Sequence, residues 1–416
     1  MLAVFALFIS SCGEEIRYES QPDYGIFTDI DYLKAVNKVV QNKNYDTVNL
    51  RGVNAGGLFV TEHWMTGFEY GSTPLDDYRS LTKTLISRFG EVKTKKLWNS
   101  YRNSWWTEAD FKNCADMGMN VIRLPFSYMN VDFDAVTSYE NAGRNYNFAY
   151  LDDFVSRAAH YGIYTILDLH GAYGSQNGQD HSGEIKDSAS EVDFYSNGQM
   201  QDLTVRLWKA LSNHFKDNPA VAGYDILNEP GEKAGVTSKP HWDFYDKAYK
   251  AIRENGDGHI VIFESCWDGR NLPHPSEYGW ENCIYSFHHY SGADISVNEH
   301  MTSWEKKIKD VEEQNFGVPL QMGEFTNYAS TEKWERTLQL LNDHGWHWSS
   351  WTYKVWNSQP WGIYNVSASG VKVNVATDPY EVMTQKFSAV NTALARKYTF
   401  KDSGKTLEEI MKAYLT

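Results

Sequence analysis

Two glutamates stand where they could do chemistry. Glu229 closes the apolar run Val221–Pro230 in Asn228-Glu229-Pro230, and Glu324 closes the run Pro319–Phe325 in Gly323-Glu324-Phe325. A carboxylate carried to the edge of an apolar element bears a desolvation cost unless something uses it. Opposed across a cleft, two such groups suit cleavage of a glycosidic bond. One protonates the leaving oxygen, and the other stays ionised to meet the positive charge growing at the anomeric carbon. Those roles predict a raised pKa for Glu229, a lowered one for Glu324, and a bell-shaped pH profile on the acidic side of neutral. Arg123, in Arg123-Leu124-Pro125, can hold Glu324 ionised through a charge-assisted, even bidentate, bond. Asn228 can hydrogen-bond a sugar 2-hydroxyl, and Trp351 offers a ring a flat apolar face. The competing readings are a structural ion pair for each glutamate and plain core for Trp351. Two glutamates at corresponding element ends favour the chemical one.

Histidines 63, 160, 170, 181, 288 and 289 raise the question of a metal hydrolase. A strand-end zinc site usually calls for a His-x-His on the first strand, and that strand reads Leu50-Arg51-Gly52-Val53-Asn54. Neither a metal nor another cofactor is therefore expected.

The elements that must position these residues recur as short apolar runs ending in polar groups, each followed by a helical pattern. The runs are 48–54, 120–127, 164–171, 221–230, 259–265, 282–290, 319–325 and 345–353. Near-continuous hydrophobicity is what strands buried on both faces of a parallel sheet show. Helices are predicted over about 107–117, 150–161, 199–215, 241–253, 303–314, 331–344 and 379–397, with Gly118, Gly162, Gly256 and Gly345 as C-terminal stops. Eight alternations predict an α/β fold, a (β/α)8 TIM barrel in a single domain with long loops on its C-terminal face. An open doubly wound sheet is the alternative. It is disfavoured because the glycine-rich stretch 171–178 lacks the helix start of a phosphate loop, and that stretch reads as a flexible loop. Insertions at 60–105 and 354–378, with Trp106 directly after the first, carry Trp64, Phe68, Tyr70, Trp98, Tyr101, Trp105, Trp356, Trp361 and Tyr364. They are expected to spread aromatic faces over the catalytic end.

The 416 residues hold 39 Lys and Arg against 54 Asp and Glu, a net charge of −15, which argues against a nucleic-acid partner. Fifteen tryptophans suggest surfaces that stack on sugar rings. Leu2–Ile9 is apolar but too short to span a bilayer, and Ile9-Ser10-Ser11-Cys12 resembles a bacterial lipobox, apart from the absence of Lys or Arg ahead of it. The chain thus reads as a signal and lipobox (1–12), an N-terminal extension (13–45) and a catalytic barrel (46–416). It is expected to be exported as a monomer, tethered to the bacterial outer membrane through a lipidated Cys12 or otherwise secreted. Cys266 and Cys283 fall at opposite ends of neighbouring strands, too far apart for a disulfide.

Taken together, the motifs resemble glycoside hydrolase family 5, the cellulase-type retaining glycosidases of clan A, over most of residues 48–395. The resemblance implies that Glu229 is the proton donor and then the base, and that Glu324 is the nucleophile forming a covalent glycosyl-enzyme. It also implies that Arg123 supports the nucleophile, that His170 of Asp168-Leu169-His170 lines the sugar subsite, that His288 and Tyr290 form the strand-six His-x-Tyr, and that Trp351 lies under the sugar. Arg51–Gly57, Glu62–Thr66 and Gly174–Gly183 further resemble the exo-β-1,3-glucanase branch, where the residue matching Glu62 binds the terminal glucose. Tyr173 and His181 stand where that branch usually has Pro and Asn, and Gly231-Glu232 replaces Leu-Gly, which leaves the linkage open. The expected partner is a β-glucan polysaccharide or oligosaccharide. An endo-acting, cellulase-like β-glucanase and a non-catalytic carbohydrate-binding lipoprotein are the alternatives.

Overall fold

The computed structural model describes residues 23–62, 64–69, 77–188, 191–231, 239–266, 268–356, 360–366, 372–390 and 395–415. The lipobox with Cys12, His63, Tyr70 and Glu232 lie outside them, as does the Cys266 side chain. Eight strands, β1 (Arg51–Asn54), β2 (Val121–Ser127), β3 (Tyr164–Gly171), β4 (Val221–Asp225), β5 (Ile260–Cys266), β6 (Cys283–His289), β7 (Leu320–Phe325) and β8 (His347–Ser350), close into one barrel. Every neighbouring pair is parallel, β8 joining β1 through Trp348 opposite Arg51. All residues of β2 and β3 are buried, which is why those runs read as continuously apolar.

The connecting helices follow the sequence pattern where their caps are strong. Glu108–Met117 starts on a Thr107–Asp110 capping box and stops at Gly118, whose φ of 94° suits only a residue without Cβ. Two boundaries differ from expectation. The helix predicted over 303–314 begins at Val297, because Ser296 and Glu299 form a capping box upstream. The helix predicted over 379–397 is confined to Tyr380–Ser388, and Ala395–Lys397 is instead a strand antiparallel to Tyr364–Val366.

The aromatic insertion also needs correction. Residues 60–105 contain two helices, α1 (Tyr78–Phe89) and α2 (Glu91–Trp105). Trp98, Tyr101, Trp105 and Trp106 are at most 1% exposed, so they pack as core and offer no stacking face. Trp98 stacks on Tyr78 and meets Phe68 edge-on, and the Trp105 indole donates to the Gly56 carbonyl at 3.0 Å. A helical hairpin outside the barrel has to bury an apolar face of its own, and large rings do that with few residues. Eleven of the fourteen described tryptophans are buried, Trp356 among them. The aromatic faces left part-exposed at the catalytic end include Trp64 and Trp361, 5.1 Å apart, with Tyr290 and Tyr328 beside Trp361. At the opposite end a hairpin of Lys34–Val36 and Val39–Gln41 lies against the barrel. Leu33 and Val40 pack there with Leu50, Val121, Ile166 and Ile284.

Candidate active site

The two glutamates are presented by different backbone devices. Glu324 lies within β7, opposite His288 in the β6 register. The β4 ladder ends at Asp225, and the chain then leaves through two further backbone bonds, Ile226 to the Ile262 carbonyl and Asn228 to the Leu169 carbonyl, both 3.1 Å. Glu229 follows with a φ of 43°, a left-handed conformation that a side chain bearing a Cβ adopts only when its surroundings impose it. The surroundings are visible. Its N–H donates to Glu264 Oε2 at 2.8 Å, and its carbonyl accepts from Asn177 Nδ2 at 3.1 Å.

The side chains converge. His288 Nδ1 lies 2.7 Å from Glu229 Oε1 and 3.5 Å from Glu324 Oε2, and His181 Nε2 faces Glu229 Oε2 at 3.1 Å. Arg123 Nη1 donates to Glu324 Oε1 at 2.8 Å, and the Tyr290 hydroxyl donates to Oε2 at 2.9 Å. An oxygen of Glu229 and one of Glu324 lie within 4.8 Å of each other. That spacing matches carboxyl pairs that work by covalent displacement, since inverting pairs leave several ångströms more for a water.

Arg123 does more than sequence reasoning anticipated. A charge-assisted bond to Glu324 was expected, with single and bidentate geometries both open; the contact is single, because the fully buried guanidinium is shared. It bonds Asp225 at 2.9 Å, Glu264 at 2.8 Å, Asn54 at 3.0 Å and Asn228 at 2.9 Å, and pairs with Asp168 at 3.1 Å. Burial and crowding by like charges push the Asp225 carboxyl well above its ordinary range, despite Arg123. The same burial, opposed by Arg123, leaves Asp168 raised to about 8. Glu264 goes the other way, to about 2, because the charge and hydrogen bond of His288 and the charge of Arg123 outweigh its burial.

The acid candidate departs from expectation. Burial alone would raise Glu229, but hydrogen bonds and charge from His181 and His288 outweigh it and hold the carboxyl well below its ordinary value. Both imidazoles are raised well above theirs, against their own burial, by the carboxylates they face. His170, by contrast, is driven by burial to about 3 and is neutral. Its Nδ1 sits 2.7 Å from Asp168 and its ring stacks on Trp351 at 5.4 Å, 7° from parallel. Asn228 Nδ2 lies 3.3 Å from His170 Nε2. Glu62 is 8% exposed, accepts the Trp64 indole N–H at 2.7 Å, and is raised by burial to about 8. The structure thus brings Glu229, Glu324, Arg123, His170, Asn228, His288, Tyr290 and Trp351 into one network, with Glu62 joined to it through the field of His181 and Glu324.

The stretch 171–178, expected to be flexible, is buried throughout. Gln176 Nε2 donates to the His170 and Asn228 carbonyls, both 2.8 Å, and fastens the loop to the ends of β3 and β4. Among the described residues, three clusters have the spacing of cation ligands: Glu229–His288–Glu324, the all-carboxylate Asp168–Asp225–Glu264, and Glu62–Asp180–His181. In the first two, N–H groups of His288 or Arg123 already lie against the oxygens. Sequence reasoning missed Glu264, Asp225, Asn177 and the contact of His181 with Glu229. The first two left a signal, a charge inside an apolar run, which needs a buried partner.

A closed parallel barrel with paired carboxyls at its C-terminal mouth offers the two groups that glycoside hydrolysis requires. Residues 86–357 match the family model for cellulase (glycosyl hydrolase family 5), and the chain belongs to that family. It is 27% identical over 394 residues to a β-xylosidase of Phanerodontia chrysosporium, covering 88% of this chain and 77% of that one. It is 32% identical over 277 residues to glucan 1,3-β-glucosidase 2 of Wickerhamomyces anomalus, covering 62% and 61% of the two chains. This chain therefore spans only about three fifths of that glucosidase's length. Among solved structures, it resembles an endogalactoceramidase (TM-score 0.60, 21% identity, 92% of this chain and 84% of that one). It also resembles a rutinosidase from Aspergillus niger (TM-score 0.58, 16% identity, 79% and 92%). These likenesses concern the fold.

Proposed function

We propose that the protein is a retaining β-glycosidase that hydrolyses β-glucosidic bonds of a glucan by double displacement, releasing glucose from the ends of β-1,3-linked chains. The observation that carries the mechanism is the pair of carboxyls with oxygens within 4.8 Å, one bound by Arg123 and Tyr290, the other by two imidazoles. Glu324, held by its guanidinium and phenol donors, attacks the anomeric carbon. Glu229 gives a proton to the departing oxygen, then takes one from the water that hydrolyses the glycosyl ester. Trp351, backed by His170, supports the ring, and Asn228 meets its 2-hydroxyl. Glu62, protonated near neutral pH, can donate to a hydroxyl of the terminal sugar, which favours an end-directed pocket.

The glucan 1,3-β-glucosidase likeness favours laminarin, while the alignment to the β-xylosidase is the longer one. Incubation with laminarin, lichenan, cellulose, mannan and aryl β-xylosides decides. Glucose alone from laminarin is expected, and a ladder of longer products would replace the pocket with an open, endo-acting cleft. NMR early in the reaction should show the β-anomer first; the α-anomer first would end the double-displacement assignment. Glu324→Gln should bind oligosaccharide without turnover, and turnover near wild type would refute the nucleophile. We further propose export as a monomeric lipoprotein anchored at Cys12, for which labelled palmitate incorporated by wild type and lost in Cys12→Ala is the check.

A further inference from the structure

His181 contacts the acid candidate, yet nothing in the reaction described so far uses it. Its side chain is 17% exposed, whereas that of His288, on the other oxygen of Glu229, is fully buried. Solvent can therefore exchange protons with His181 and not with His288. Asn177 fixes what His181 can do. The amide orientation of Asn177 is set by two backbone partners, Oδ1 accepting from Gln179 N–H at 2.9 Å and Nδ2 donating to the Glu229 carbonyl at 3.1 Å. The second Nδ2 hydrogen is left for His181 Nε2, 2.7 Å away. That bond exists only when Nε2 offers its lone pair. Glu229 Oε2, 3.1 Å from the same nitrogen, must then carry the proton.

Two arrangements of one proton therefore compete. In one, an imidazolium donates from Nε2 to an ionised Glu229, its charge also facing Asp180 Oδ1, 3.6 Å from Nδ1. In the other, His181 is neutral, Nε2 accepts from Asn177, and Glu229 is a loaded acid. We propose that His181 is the positioning residue for the acid proton, storing it at Nε2 and passing it to Glu229 Oε2, with Asn177 stabilising the loaded form. This rests on the proposed roles of Glu229 and Glu324. The step balances: Nε2–H breaks as Oε2–H forms, Oε2–H then breaks as the leaving oxygen gains its hydrogen, and the attacking water returns a proton by the reverse route. The groups facing the pair are Glu62 and Asp180 beside His181, His170 at 5.8 Å, His288 and Glu264 behind Glu229, and Glu324 and Tyr290 across from it.

The test is His181→Asn, with hydrolysis of phenyl and 2,4-dinitrophenyl β-glucosides followed against pH. The phenolate of the second leaves without a proton, so it reports folding and the nucleophile alone. For the phenyl glucoside the alkaline limb should move down by about one pH unit and kcat/KM at neutral pH fall about tenfold or more, while the dinitrophenyl substrate changes less than about threefold. An unmoved alkaline limb, or equal losses on both substrates, overturns the proposal. Labelled-histidine NMR of the resting enzyme needs no substrate: His181 should titrate above an ordinary histidine and drop in Glu229→Gln. An ordinary titration in both overturns the shared proton even if the glycosidase reading stands. Conversely, failure to cleave any β-glycoside would defeat that reading while leaving the NMR result intact.

Discussion

Replacing Arg123 by methionine tests whether the guanidinium is what lets four carboxyl groups share one barrel mouth. The wild-type side chain is fully buried and its nitrogens lie 2.8–3.1 Å from Asp168, Asp225, Glu264 and Glu324. Removing one partner of a buried ion pair costs about 3–5 kcal/mol, and each hydrogen bond to a charged group is worth about 1.5–3 kcal/mol. The total cannot grow in proportion, because freed carboxyls take up protons instead of remaining as bare charges. The expected loss near pH 7 is thus about 3–5 kcal/mol. With an unfolding entropy of about 0.8 kcal/mol/K for a chain of this size, Tm falls by about 4–6 °C. The pH dependence is the sharper part. A carboxyl whose folded pKa is raised gives stability that is fully present below its ordinary pKa and lost as pH rises through the folded value. In wild type that window for Asp168 runs from its ordinary 3.8 to about 8. In the variant Asp168, Asp225 and Glu264 lose the charge that lowers them, so the Tm deficit should shrink at pH 5 and widen toward pH 8. Calorimetry at pH 5, 7 and 8 reads this directly. A deficit independent of pH, or absent at pH 7, would refute the assignment of Arg123 as the charge that holds the site together.

Two further outcomes are expected. Tyr290→Phe removes the 2.9 Å hydroxyl bond to Glu324 Oε2; a bond to a charged group is worth about 1.5–3 kcal/mol. The variant should therefore lose about ten- to a hundredfold in kcat/KM with Tm little changed, and a loss under about threefold would remove Tyr290 from the mechanism. Activity should survive prolonged exposure to a chelator, because N–H groups of His288 and Arg123 already lie against the carboxylates of Glu229–Glu324 and of Asp168–Asp225–Glu264; loss restored by zinc would sink the mechanism.

How far the sequence could be read depended on the range of the interactions involved. The barrel was legible because a strand buried on both faces writes itself as a local run, as in Tyr164–Gly171, and a capped helix as a local box, as at Thr107–Asp110. Glu229 and Glu324 were legible because such runs end in them. The helical hairpin 78–105 was not, since its aromatics pack against distant partners such as Phe387 and Phe68, and an aromatic-rich segment reads alike whether it faces core or sugar. Nor was the Glu229 pKa. From the sequence, burial beside another carboxyl argues for a raised value. What reverses it is His181, brought in by a loop that looked merely glycine-rich, and His288, two strands away in the barrel.

That reversal bears on how one carboxyl could serve first as acid and then as base. While Glu324 is anionic, its charge disfavours a second charge on Glu229, 4.8 Å away or less, and draws the shared proton toward Glu229. Once Glu324 becomes a neutral ester in the proposed cycle, that repulsion ends. His288 Nδ1, which stood 2.7 Å from one carboxylate and 3.5 Å from the other, then has Glu229 as the one anion left of the two. Both changes favour an ionised Glu229 just when a base is needed. The direction is testable without turnover: Glu324→Gln, which mimics the uncharged ester, should lower the Glu229 pKa relative to wild type when its carboxyl carbon is followed by NMR. A rise in that variant would mean that Glu324 does not govern the proton on Glu229, and the two-role argument would fail with it.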